Sequence, residues 1–121
     1  MITLSGNFQV VPKQRARMGR NGFYTPSRTV ECEQSIQRVI MSANIEKIAK
    51  PLAITVDVTF FIKKKHPRKV PSVRPDLDNL VKTILDASNK LVWDDDSQIV
   101  KISAMKTYAD FWGWEMTVTS F

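Results

Sequence analysis

Leu52-Ala-Ile-Thr-Val-Asp-Val-Thr-Phe-Phe-Ile62 is the stretch that decides the fold. Ile54, Val56, Val58, Phe60 and Ile62 alternate with Thr55, Asp57 and Thr59. A period of two is the pattern of a half-buried strand and fits no helix. Pro51 and a basic run from Lys63 bound it on either side. Beyond that run, Leu77, Leu80, Val81, Ile84 and Leu85 recur at i, i+3, i+4, i+7 and i+8. That spacing predicts an amphipathic helix over about 77–90, with Asp76 at its start.

Working outward, Val30, Ile36, Val39, Ile40 and Ala43 recur near the helical period, so a first helix is expected over about 28–49. Pro26-Ser27 opens it, with Ser27 as the candidate N-cap, and Pro51 closes it. Ile2 to Val11 reads as a strand, residues 12–28 as a basic loop, and 98–108 as a further strand. A bend at Asp110–Gly113 leads to a last strand, Trp114–Ser120. The expected fold class is α+β, a mixed sheet with two main helices, in a single domain spanning 1–121.

Composition narrows the partners. An apolar share of 43% and a charged share of 25% are those of a globular chain able to bury its own core. A net charge of +6 points to an anionic partner. Eleven of the eighteen Lys and Arg residues lie in 13–28 and 63–74, segments without apolar periodicity. Bases gathered in loops suggest a footprint on nucleic acid. Cys32 is the single cysteine, which excludes an internal disulfide and a cysteine zinc site; with Glu31 and Glu33 beside it, it reads as structural. Neither a signal peptide nor a membrane span is visible, so a cytoplasmic setting without membrane contact is expected.

The acids are more selective than the bases. Arg74-Pro-Asp76-Leu-Asp78-Asn79-Leu-Val-Lys82 is followed by Asp86 and then by Asp94-Asp95-Asp96-Ser-Gln98. Six of the twelve acidic residues thus fall between positions 76 and 96, directly after the basic run Lys63-Lys64-Lys65-His66-Pro-Arg68-Lys69. At a loop-to-helix junction the Asp76 and Asp78 side chains can converge, and Lys82 stands one turn beyond Asp78. A third acid from 94–96, brought back by a short helix-to-strand connection, would complete a carboxylate set for Mg²⁺ with positions left for water and a phosphate oxygen. The bases would hold the polyanion that those acids repel.

Ordinary roles compete with this reading. A helix-start Asp caps orphan N–H groups for about 0.3–2 kcal/mol, which accounts for one of Asp76 and Asp78 but not both. An Asp78–Lys82 surface pair is worth about 0.5 kcal/mol. An EF-hand does not fit, because counting from Asp76 its fifth and sixth positions are Leu80 and Val81. No (Asp/Glu)-x-Lys follows Pro75-Asp76, as restriction-type nucleases require. His66 has no second His or Cys as metal partner and reads as a phosphate contact or bystander. Trp114 and Phe60 are expected in the core; Phe23, Tyr24 and Trp93 are open to base stacking or to packing.

Arg-Pro-Asp76-Leu-Asp78-Asn79-Leu-x-Lys82, Asp86-Ala87 and Trp93-x-Asp95-Asp96-x-Gln98-Ile99 together resemble the RusA-type Holliday junction resolvases of bacteria and their prophages. Pro12-Lys13-x-Arg15-x-Arg17 and Tyr24-Thr25-Pro26 are similar to the phage-borne branch. The resemblance runs in the same order over nearly the whole chain. It implies a homodimeric, Mg²⁺-dependent endodeoxyribonuclease, with Mn²⁺ as a substitute ion, that nicks four-way DNA junctions symmetrically. Under it, Asp76, Asp78 and Asp96 are the metal-binding catalytic acids, with Asp95 as the alternate third ligand, and Lys82 is the catalytic lysine. Lys13, Arg15, Arg17, Lys63, Lys64, Lys65, Arg68, Lys69 and Arg74 are the expected DNA contacts, tracking phosphates without reading sequence. A non-catalytic branched-DNA-binding module and a flap or other structure-specific nuclease are the alternatives.

Overall fold

The computed structural model describes residues 1–14, 17–20, 22–24, 27–63 and 70–121, with backbone alone at 17, 23 and 24. The described elements are β1 (Ile2–Gly6), β2 (Arg17–Gly19), β3 (Gly22–Tyr24), α1 (Ser27–Ser42), β4 (Ile54–Lys63), α2 (Leu77–Ser88), β5 (Ile99–Ala109) and β6 (Gly113–Ser120). A 3-10 turn, Asp96–Gln98, leads into β5. The four-stranded sheet has the order β1-β6-β4-β5, and β2-β3 form a separate hairpin. β4 lies parallel to β5 and antiparallel to β6, which is antiparallel to β1. The sheet is therefore mixed and the fold α+β, as the sequence pattern implies.

β4 is central because its alternation satisfies a sheet with one covered face. Ile54, Val56, Val58 and Phe60 are buried, while Asp57 on the opposite face is exposed. Trp114, Met116 and Val118 of β6 and Leu4 of β1 continue the buried face. Against it pack Cys32, Ile36 and Ile40 of α1 and Leu80, Ile84 and Ala87 of α2. The other face carries Thr3, Thr55, Asp57, Thr59, Glu115 and Thr117, the polar dress of a sheet open on one side.

Parallel strands cannot be joined by a hairpin, so the chain crosses from β4 to β5 through α2. The helix runs back along the strands. Its N-terminus stands beside the C-terminal ends of β4 and β5, and its C-terminus beside the start of β5. Twelve residues at 1.5 Å each make it on the order of 18 Å long. Each end of that helix carries one half of the acidic motif.

The structure departs from the sequence expectation at several local points. β1 stops at Gly6, where a Cβ would run into the Trp114 indole; the chain can pass only with a bare backbone. Residues 9–14 then form an extended strip between the helices rather than more strand. Val11 N–H faces the Cys32 sulfur at 3.5 Å, Val11 O accepts from Thr83 Oγ1 at 2.8 Å, and Lys13 N–H donates to Asn79 O at 2.9 Å. α1 ends at Ser42 instead of about 49 because Asn44 adopts a left-handed φ of 50°, a residue type that tolerates this helix-ending conformation. Ser27 is the first helical residue rather than the residue before the helix. The basic loop 12–28 contains the β2-β3 hairpin, turning near Gly22, whose φ is 109°.

The link from β5 to β6 is not a hairpin either. β4 lies between the two strands, and the short bend passes over its end with Phe111 against Phe61, ring centroids 5.1 Å apart. Among the described residues no helix is long and apolar enough to cross a membrane.

Candidate metal and nucleic-acid site

Asp76 occupies the N-cap position of α2 in extended geometry (φ −69°, ψ 135°), yet its side chain makes no capping hydrogen bond. The ordinary explanation for an Asp at this position is therefore not used. Asp78, in the first turn, is exposed and forms no ion pair among the described residues; Lys82, one turn on, is likewise exposed. At 100° per residue Asp78 and Lys82 share the outward side of α2, opposite the buried Leu80, Thr83 and Ala87.

The approach to Asp76 is fixed from the sheet. Lys106 of β5 donates its ammonium to Val73 O and Pro75 O, both at 2.8 Å. A lysine inside a strand gives no sequence signal for this task, and sequence reasoning did not single it out. Beside Asp76 is a recess of about 560 Å³ lined by Pro12, Lys13, Gln14, Arg74, Pro75 and Asn79. Arg74 is exposed there. A second, smaller recess of about 180 Å³ lies between β4 and β5 on the open face of the sheet, away from these acids.

Lys13 is differently engaged. Its ammonium sits 2.6 Å from Glu33 Oε1 of α1 and 3.1 Å from Asp86 Oδ2 of α2, clamping the two helices through the 9–14 strip. Burial works against its charge, but the two carboxylates outweigh that and hold its pKa above the ordinary lysine value. Asp86, part of the sequence motif, thus has a structural partner. Cys32 is a core residue whose thiol is pushed up by burial.

The three acids of the turn divide the work. Asp94 accepts from Lys50 N–H at 3.0 Å and pairs with Lys47 at 3.0 Å, contacts that lower its pKa. Asp95 is the N-cap of the 3-10 turn: it accepts from Ser97 N–H at 3.0 Å and lies 3.4 Å from Lys90. Hydrogen bonds from Ser97, with Lys90 adding to them, hold its carboxyl down to about 2. Gln98 closes the capping box by accepting from Asp95 N–H at 2.9 Å. Its amide N–H₂, itself buried, donates to Ile48 O at 3.2 Å and Leu52 O at 3.0 Å. Asp96 is the acid left over. It is exposed, has no cationic partner among the described residues, and is held by the indole N–H of Trp93 at 2.8 Å. Trp93 is fully buried, so packing rather than base stacking is its role.

The expected convergence of three carboxylates does not occur inside one copy. Asp76 and Asp78 stand at the N-terminal end of α2, and Asp96 lies past its C-terminal end, on the order of 18 Å away by helix length. Among the described residues, no three acidic, His or Cys side chains are grouped to hold a metal ion. The sequence spacing counted a short connection correctly, but it ran to the far end of the helix. Of the expected DNA contacts, Lys63 is exposed at the end of β4 and Arg74 lines the recess. Arg15, Lys64, Lys65, Arg68, Lys69 and the side chain of Arg17 lie outside the described residues, as do His66 and the Phe23 and Tyr24 side chains.

Comparison with known proteins agrees with the motif. Residues 7–119 match the family described as Endodeoxyribonuclease RusA. The chain is also 35% identical over 66 residues to the uncharacterized protein YqaN of Bacillus subtilis (strain 168), a stretch covering 53% of this chain and 46% of that relative. The match therefore spans less than half of the relative's length. Because the family match takes in nearly every described element, from the 9–14 strip through both ends of α2 to β6, the chain belongs to the RusA endodeoxyribonuclease family.

Proposed function

We propose that this protein is a divalent-metal-dependent endodeoxyribonuclease that resolves four-way (Holliday) DNA junctions by paired, symmetric nicks. The observation that carries the reading is the pair Asp76 and Asp78, two carboxylates without a capping bond or ion pair among the described residues, beside a recess bordered by Arg74 and next to exposed Lys82. Acids at a recess flanked by Arg74 give plain DNA binding nothing, since they repel it. Family membership supports the same reaction.

The donor set fits Mg²⁺, with Mn²⁺ as a substitute: hard carboxylate oxygens with no His or Cys among them. Asp76 and Asp78 would hold the ion, with Asp96 supplied by a second copy, because within one copy it stands at the far end of α2. Asp95, committed to its cap and to Lys90, is the weaker candidate for the third place. When bound, the cation supplies Lewis-acid neutralisation of phosphate charge and a more acidic water. The chain's own groups do the rest. Arg74 and the 63–69 run hold duplex phosphates, Lys106 keeps the Asp76 approach rigid, and the Lys82 ammonium offsets charge developing on the scissile phosphate or leaving oxygen. A carboxylate not occupied by the metal accepts the proton of the attacking water. A junction has two strands to cut, and a two-fold homodimer presents two sites to them.

The test is cleavage of a labelled four-way junction against linear duplex of the same sequence, with Mg²⁺ or with chelator. Paired nicks in the junction alone, dependent on the ion, are expected. Asp76→Asn, Asp78→Asn and Asp96→Asn should each lower turnover by at least roughly 100-fold, on the order of the loss when a main electrostatic group is removed, while binding the junction as well as or better than wild type. Lys82→Ala should lower kcat with little change in affinity. Tight junction binding without any cut would favour a non-catalytic branched-DNA module, and cutting of flaps in preference to junctions would favour a different structure-specific nuclease.

A further inference from the structure

The recess beside Asp76 is larger than a metal ion and one phosphate require. Its volume is about 560 Å³. That falls within the roughly 300–1,000 Å³ of sites that take a small organic ligand. Its walls come from two segments far apart in sequence, the 9–14 strip and the turn that enters α2. Both are tied down. Lys13 N–H donates to Asn79 O at 2.9 Å, Thr83 Oγ1 donates to Val11 O at 2.8 Å, and Gln14 N–H reaches Thr29 Oγ1 at 3.4 Å. On the other side Lys106 holds Val73 O and Pro75 O. Walls fixed before a ligand arrives leave little ordering to be done on binding.

The lining divides into three kinds of group. Pro12 and Pro75 offer apolar rings, and Gln14 and Asn79 offer carboxamides. Among the described residues the hydrogen bonds of Gln14 and Asn79 are made by their backbones, and neither side-chain amide has a partner. Lys13 adds little free charge, since its ammonium is neutralised between Glu33 and Asp86. Arg74 remains as the cation, beside the carboxylate of Asp76. One cation next to an acid is a poor trap for a bare anion. Apolar faces, amides and a single guanidinium are instead the groups that hold a base and its phosphate.

We propose that this recess is a nucleotide subsite: it takes the unstacked nucleotide next to the scissile phosphate, with Pro12 and Pro75 against the base, the Gln14 and Asn79 amides on its edge and Arg74 on the flanking phosphate. This rests on the nuclease reading above, which puts the scissile phosphate at Asp76 and Asp78. Asp76 belongs to both places, so the nucleotide adjoining a phosphate held there lies at the recess. The subsite gives the reaction a choice of substrate. Within a continuous duplex a base is paired and stacked on both sides, and taking it out is costly. At a branch point the stack is already interrupted, and the cost falls. A site that needs an unstacked nucleotide therefore admits branched DNA and rejects linear duplex. The amides add a preference among bases, because a carboxamide matches an edge that carries a donor beside an acceptor.

The experiment places 2-aminopurine, an adenine analogue that brightens when unstacked, at each nucleotide flanking the crossover of a four-way junction in turn. Binding is followed with chelator present, so that no strand is cut. Wild type should brighten one of these positions, and none in linear duplex. In the Gln14→Leu, Asn79→Leu double variant the brightening should be lost, because the base edge would face apolar groups without partners. Gln14→Leu alone, outside any helix, gives the same reading if the double variant does not fold. Brightening that survives these changes, or no brightening at any position of a bound junction, overturns the subsite. A second readout varies the base at the brightened position. Wild-type nicking rates should spread on the order of 10-fold across the four bases, the discrimination of one amide–base pair, and Gln14→Leu should shrink that spread to within about threefold. Equal rates for all four bases in wild type overturn the role of the amides. A protein that nicks junctions while every position stays dark loses the subsite and keeps the nuclease reading. One that brightens a position but cuts nothing with Mg²⁺ or Mn²⁺ loses the nuclease reading, and the subsite stands as a device of branched-DNA binding.

Discussion

Three consecutive aspartates look interchangeable in a sequence, but their surroundings give them different tasks. Asp94 ties the turn to the Lys47–Lys50 segment, Asp95 caps the 3-10 turn, and Asp96 is held by Trp93 with no cationic partner among the described residues. The capping role of Asp95 has a consequence with a definite sign. Its carboxyl pKa is lowered to about 2 in the folded protein, against roughly 3.9 when unfolded. A depressed carboxylate stabilises the fold above the unfolded pKa and loses that contribution as pH falls through the folded one. Asp95→Asn retains an acceptor oxygen at the cap, so a comparison with wild type isolates the charge. Wild type should melt higher at pH 7, and the gap should close between about pH 4 and 2 in calorimetric scans. A gap that stayed constant to about pH 2 would mean that the cap, and not the charge, matters.

At the scale of elements, most of the fold was legible because periodicity reports burial directly. The alternation over 54–62 gave the central strand, and the 3.6-residue recurrence gave both helices. What escaped was set by partners far apart in sequence. The strip 9–14 has the composition of a strand, but its hydrogen bonds go to Asn79, Thr83 and Cys32, and no sequence window sees those partners. Gln98 was visible as a motif residue, and its buried ties to Ile48 and Leu52 were not. The site was half legible for the same reason. Residue types and spacing singled out the acids, while their separation along α2 depends on helix direction and length. Lys13 is the instructive case, since it was expected on DNA and is found clamping α1 to α2. Lys13→Met would leave two half-buried carboxylates without their cation. Urea unfolding should then show a loss of about 1–2 kcal/mol, below the fully buried range because both acids keep some solvent. The slope of junction affinity against salt should stay at the wild-type value, because an ammonium already neutralised by two carboxylates displaces no counterions from DNA. A slope lower by about one unit with stability unchanged would return Lys13 to the DNA surface.

At the scale of the molecule, opposite charges have to be reconciled. The chain carries +6 overall, and half of its acids fall within residues 76–96, next to the basic run at 63–69. In the proposed reading, Asp76 and Asp78 without a cation would weaken the attraction of Arg74 for a phosphate backbone, and with one the same acids would become part of an attractive surface. Affinity for the junction should therefore respond to two ions in opposite directions. Monovalent salt should weaken it by counterion release, and low millimolar Mg²⁺ should strengthen it in wild type but not in the Asp76→Asn, Asp78→Asn double variant, which should already bind tightly without metal. Reversing Lys63, Lys64 and Lys65 to Glu tests the other half of the balance. The slope of log affinity against log salt should fall by roughly one unit for each phosphate that the variant no longer neutralises, while the Mg²⁺ response is retained because the acids are intact. Fluorescence anisotropy on a labelled junction across a KCl series, with and without Mg²⁺, measures both. An unchanged slope in the triple variant would remove residues 63–65 from the DNA footprint and leave Arg74 and the recess beside Asp76 as the place where the polyanion is held.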